Sequence, residues 1–234
     1  MCASFTTPEG WHEVGLSPDI TSPTPLGWRP IRPFDPAWIL RADPESGALQ
    51  EVTASWSLVP PFAEEKRVKY STFNARLDRL LDSRVWRSCF PAQRCLVPVS
   101  GIFERVNEAG AKKKRPFFIQ RRDAEVFQLA GLWSEWVDRA TGEVHLSFTV
   151  ITTEPNALMD RIGHHRMPCI VAPEERALWL DPEVTDAERL LDLIREPLPG
   201  PAMEAWPVSH AINYRNERGR DVVEPVGELV RVEA

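Results

Sequence analysis

The sequence predicts an α+β fold built on antiparallel sheet. Short β-rich runs recur from residue 52 to residue 226, several of them divided by hairpin-type turns, while helical spacing is confined to short stretches between them. Composition supplies the core: of 234 residues, 43% are hydrophobic and 26% charged, close to the globular average and far from the balance of a disordered chain. Lys and Arg number 28 against 34 Asp and Glu, a net charge of −6. That balance argues against a protein that coats nucleic acid by nonspecific phosphate neutralisation, yet it leaves room for a local basic cleft.

Along the chain, Pro8, Pro18, Pro23, Pro25, Pro30, Pro33 and Pro36 make residues 17–36 and their approach an extended Pro-rich segment rather than helix. No domain boundary is visible there, so 1–234 reads as a single domain. Strands are expected at 52–58, 95–103, 116–120, 126–133, 144–152, 169–171 and 222–226, with hairpin turns at 107–110 and 138–142. Leu77, Leu80, Leu81 and Val85 have helical spacing. A second helix follows Pro155 and stops at Gly163, and Thr185-Asp186-Ala187-Glu188 reads as a capping box opening a third. No run of about 18 apolar residues exists, and Met1-Cys2-Ala3-Ser4-Phe5 lacks the features of a secretory signal, so we expect a soluble, cytoplasmic protein with no membrane partner. The four cysteines show no CxxC spacing, which favours reduced thiols over a disulfide scaffold or zinc ribbon.

A few residues could carry chemistry. Removal of Met1 would leave Cys2 with a free α-amine beside its thiol, a pair able to attack an aldehyde and close a thiazolidine; the alternative is an incidental Cys in a frayed terminus. Asn74 lies at a polar step between extended chain and helix, where it reads equally as a cap. Glu104 closes the apolar run 95–103, where loss of water favours general acid or base use; a strand-end ion pair is the bland reading. In His164-His165-Arg166-Met167-Pro168 the two imidazoles face opposite sides if extended, which disfavours a metal site and favours one His as a proton carrier, although a ligand pair of His164 with Cys169 stays open. Lys112-Lys113-Lys114-Arg115 falls at a hairpin tip, either a solvated turn or a phosphate contact.

In combination, these residues resemble one family. Cys2 after Met1, Trp56 to Pro60, Asn74-Ala75-Arg76, Arg94 to Pro98 with Gly101 to Glu104, Pro116 to Ile119, Ala130 to Trp133, Phe148 to Thr153 and His164 to Pro168 occur in the order seen in the SOS response-associated peptidase (SRAP) family, over nearly the whole chain. The resemblance implies a monomeric domain with a barrel-like core of antiparallel sheets, flanked by helices, beside a cleft for single-stranded DNA with abasic sites, and no cofactor or metal. It implies a covalent thiazolidine crosslink through Cys2 that shields the lesion. Asn74 would hold the sugar or the Cys2 amine, Glu104 would shuttle protons, and His164 would assist opening of the deoxyribose ring. Thr152 would lie near the cleft, and Arg76 and Arg166 would contact phosphates. The family's peptidase activity is an autocatalytic removal of a short leader before the Cys. Here only Met1 precedes Cys2, so an aminopeptidase would suffice and no broad protease activity is expected.

The chain departs from the family pattern at several places. Ala3 and Ser4 replace a Gly-Arg pair, the usual Tyr-Asn-x-Ala-Pro segment is not recognisable in 17–36, Pro61-Phe62-Ala63 stands where further aromatics are common, and Arg105 replaces a Trp. Loss of a cation at residue 4 predicts weak binding of undamaged strands with a shallow salt dependence. The competing readings are a diverged, non-enzymatic DNA-binding or interaction module and a Cys-dependent peptidase.

Overall fold

A computed structural model describes residues 4–8, 29–108, 110, 112–214 and 219–233. Its strands are β1 (Ser4–Thr6), β2 (Pro30–Ile31), β3 (Pro36–Ala42), β4 (Leu49–Trp56), β5 (Asn74–Arg76), β6 (Arg94–Val99), β7 (Gly101–Val106), β8 (Arg115–Arg121), β9 (Phe127–Val137), β10 (Val144–Thr153), β11 (Met167–Pro168) and β12 (Met203–Pro207). The helices are short: α1 (Arg84–Arg87), α2 (Ala157–Ile162), α3 (Arg176–Leu180) and α4 (Ala187–Arg195). None among the described residues is long and apolar enough to cross a membrane.

Five of the strands close on themselves. The antiparallel neighbours run β4-β3-β6-β9-β10, and β10 then pairs in parallel with β4 at Ser147↔Ser55 and Phe148↔Trp56, which completes a barrel. Alternation along each strand sends Ile39, Val97, Leu129 and Phe148 to one buried cluster and Leu40, Leu96, Ala130 and Leu132 to another, where Trp179, Leu190 and Ile194 of the helices cover the wall. Apolar cover on both faces explains why β6 reads as a continuous hydrophobic run.

The second sheet is open and antiparallel, in the order β12-β8-β7-β1-β2. The apolar run expected as one strand at 95–103 is divided: β6 ends in the barrel at Val99, Ser100 turns, and β7 begins in the open sheet at Gly101. A side chain at 101 would meet the Phe118 ring, whose nearest atom is 2.1 Å from where a Cβ would lie, so the crossing point requires glycine.

Other expectations need correction. Residues 222–226 do not form a strand; Arg220–Val223 make a single 3₁₀ turn, with only an isolated bridge between Val208 and Pro225. The helical spacing at 77–85 yields a 3₁₀ turn at Leu77–Arg79 and a separate α1, because Ser83 is extended and caps the second piece through Val85 N–H. The third helix is capped by Asp186, whose side chain accepts from Arg189 N–H, rather than by Thr185. Most of the Pro-rich segment lies outside the described residues; Pro30 and Ile31 are extended, as expected.

Candidate active site

Glu104 lies in the middle of β7 with its side chain buried, 2% exposed, opposite Phe117 on β8. His164 reaches it from a distant segment. Asn156 caps α2 by accepting from Met159 N–H, and Gly163 ends the helix at φ 82°, a left-handed conformation that costs glycine little. The chain reverses there, and His164 points back with its Nε2 3.0 Å from Glu104 Oε2.

The other ring nitrogen fixes the protonation logic. His164 Nδ1 lies 2.8 Å from the Arg166 carbonyl oxygen. A carbonyl can only accept, so Nδ1 carries a hydrogen. Nε2 is left to face Glu104 Oε2, so two buried groups that can each carry a proton stand at ion-pair distance, an arrangement suited to giving and taking a proton without bulk water.

From Arg166 the contacts continue into the barrel. Its guanidinium donates to the Thr152 carbonyl at 2.6 Å and to Thr152 Oγ1 at 3.3 Å. Thr152 lies between β5 and β11 and donates through Oγ1 to the Ala75 carbonyl at 3.3 Å. Ala75 is flanked on β5 by Asn74, which is buried, and Arg76, which is exposed. Asn74 and Arg76 line a cleft of about 440 Å³ together with Ser71, Arg79 and Trp86. The structure thus brings Arg76, Glu104, Thr152, His164 and Arg166 onto one connected set of contacts, with Asn74 beside them on β5. His165 is exposed and takes no part in the Glu104 contact.

The two arginines are already neutralised. Arg76 forms a two-point pair with Asp78, Nε to Oδ1 at 2.9 Å and Nη2 to Oδ2 at 2.7 Å. Arg166 pairs with Glu154 at 3.1 Å and lies 3.8 Å from Asp78. The hydrogen bonds from Arg76 hold the Asp78 carboxyl below the usual carboxylate range, and the same contact raises Arg76. Sequence reasoning did not single out Asp78 or Glu154. A carboxylate two residues after Arg76 was the available signal.

Cys2 and Ala3 lie outside the described residues. Ser4 pairs with Phe103, the neighbour of Glu104, and is fully buried. The remaining cysteines are buried and free. Burial pushes the Cys89 thiol up to about 11, Cys169 up to about 12 and Cys95 upward as well, so none of these is a ready thiolate.

Residues 23–215 match the family described as SOS response associated peptidase (SRAP). The chain is 32% identical over 169 residues to Abasic site processing protein YoqW of Bacillus subtilis (strain 168), covering 72% of this chain and 74% of that one. It is 28% identical over 226 residues to Abasic site processing protein YoaM of the same organism, covering 96% and 98%. A crystal structure of a protein from Bacteroides thetaiotaomicron matches with a TM-score of 0.82 at 25% identity, covering 96% of this chain and all of that one.

Proposed function

The chain belongs to the SOS response associated peptidase family, and from that premise we propose that it binds single-stranded DNA at abasic sites and captures the lesion as a thiazolidine on Cys2, protecting it in the DNA damage response. The observation that carries this reading is the buried Glu104–His164 pair, 3.0 Å apart, at the β7 position next to Phe103, the partner of Ser4.

Loss of Met1 gives Cys2 an α-amine that titrates at about 7.7–8.0, so a useful fraction is neutral at physiological pH. An abasic deoxyribose exists mostly as a closed hemiacetal, and His164 assists its opening by moving a proton between the ring oxygen and the C1′ hydroxyl. The amine nitrogen bonds to the exposed aldehyde carbon to form a carbinolamine. Its hydroxyl takes a proton and leaves as water, producing an iminium. The thiol gives up its proton, and its sulfur bonds to the same carbon, closing the five-membered ring. Every stage moves one proton, the task for which the Glu104–His164 pair is built. Asn74 holds the sugar or the amine, Thr152 borders the sugar–phosphate chain, and Arg76 and Arg166 meet phosphates through their forked donors.

The test is incubation with a single-stranded oligonucleotide bearing one abasic site, followed by a denaturing gel. A heat-stable shifted band is expected, together with a protein mass lacking Met1. Cys2→Ala, or retention of Met1, removes half of the ring-forming pair and should abolish the band. A heat- and alkali-stable adduct on Cys2→Ala protein would overturn the thiazolidine.

A further inference from the structure

We propose that Asp78 is an internal stand-in for a DNA phosphate, a latch that occupies the fork of Arg76 in the DNA-free protein and gives it up when a strand binds. The inference rests on the reading above that Arg76 and Arg166 meet phosphates. Its basis is geometric. The Asp78 carboxylate takes the Nε–Nη2 edge of Arg76 with two short hydrogen bonds, the geometry in which a guanidinium also grips two phosphate oxygens. Asp78 also lies 3.8 Å from Arg166, whose other charged partner is Glu154. The two guanidiniums and two carboxylates cancel, so the cations on which strand binding depends present no net charge until an acid is displaced.

The placement of Asp78 makes displacement cheap. Its side chain is 48% exposed and that of Arg76 is 52%, so both ends of the pair are hydrated when they part. Asp78 is carried on a 3₁₀ turn of only three residues, where its carboxylate can turn outward without disturbing β5. Arg166, by contrast, stays anchored on Thr152. An incoming phosphate therefore exchanges one acceptor for another at Arg76, and Asp78 sets how much affinity that exchange leaves.

The experiment is titration of a fluorescent, undamaged single strand across a range of salt concentrations, with the unaltered protein, Asp78→Asn, Arg76→Gln and the double variant. Asn keeps the shape of Asp but loses the charge. Asp78→Asn should bind about two- to fivefold tighter at low salt, the range of an exposed ion pair. Its log–log salt slope should steepen by up to about 0.7, the increment for one phosphate on a single strand. Most of the gain should vanish in the Arg76→Gln background, because the latch acts through Arg76. Equal or weaker binding by Asp78→Asn would show that Asp78 only orients Arg76, and a gain fully retained without Arg76 would show general repulsion; either overturns the latch. Crosslinking of an abasic strand by the unaltered protein is measured alongside. Crosslinking without the Asp78→Asn gain sinks the latch alone, whereas a protein that neither binds nor crosslinks a strand sinks both readings.

Discussion

Arg94 and Arg76 set the same guanidinium in opposite surroundings. Arg94, at the start of β6 and 2% exposed, donates to the backbone carbonyls of Phe90, Pro91, Trp179, Asp181 and Val184, and burial pushes it down to about 10. Arg76 is half exposed and holds a single carboxylate. Backbone carbonyls cannot leave, so Arg94 ties the barrel permanently to the ends of α1 and α3. A side-chain carboxylate in water can be exchanged for another anion. Permanence of the acceptor, rather than strength of the hydrogen bonds, separates the structural arginine from the binding one. The Glu104–His164 pair is a third case: dry like Arg94, but with a partner that can trade a proton, so that what moves is the proton and the partners remain.

The largest expected effect tests that third case. Glu104→Gln keeps the shape and lets its amide N–H donate to His164 Nε2, but the amide cannot trade a proton, and crosslinking should slow by about 10²–10⁴-fold with little change in strand affinity. His164→Ala should fall in the same range, and His165→Ala, exposed and off the contact, should do little. If His165→Ala were the slower of the two His variants, the pair has been misassigned. Arg94→Met comes next. It orphans buried carbonyls around the end of α3, and urea unfolding should show a loss on the order of 3–5 kcal/mol. A loss below about 1 kcal/mol would mean that those carbonyls find water, and the distinction between permanent and exchangeable acceptors would lose its structural half.

These same groups show how far the sequence could be read. The α+β class, both hairpins and the helix stop at Gly163 follow from local turn chemistry and were legible. The passage from barrel to open sheet at Ser100 was not, because apolar cover on both sides hides a change of sheet, and the glycine that permits it is required by Phe118 on another strand. β3 was hidden by proline density, although Pro36 only opens the strand, a position where its missing N–H is tolerated. At the site, Glu104 and His164 could be picked out singly by residue type and by resemblance, but nothing local says that their side chains meet. Asp78 was invisible for a related reason. Its meaning depends on Arg166, which arrives from a distant turn, so a carboxylate two residues after Arg76 looks like an ordinary surface pair until the fold brings the second cation beside it.

The smallest effect separates the two arginines of the cleft. Arg76 and Arg166 share Asp78, but Arg166 also donates to the Thr152 carbonyl at 2.6 Å and its side chain is only 13% exposed, so it combines an acceptor that cannot leave with acids that can. In the Asp78→Asn background, replacing either with Gln should reduce the salt slope for single-strand binding by up to about 0.7, one phosphate contact. Only Arg166→Gln should also lower the urea midpoint, since only there does the backbone lose a partner where β10 meets β11. Arg76→Gln should leave the midpoint where it is, because its one acceptor is a hydrated carboxylate on a surface turn. An Arg76→Gln protein that unfolded as early as Arg166→Gln would show that the Arg76–Asp78 pair holds β5 in place, and that its acceptor is as permanent as those around Arg94.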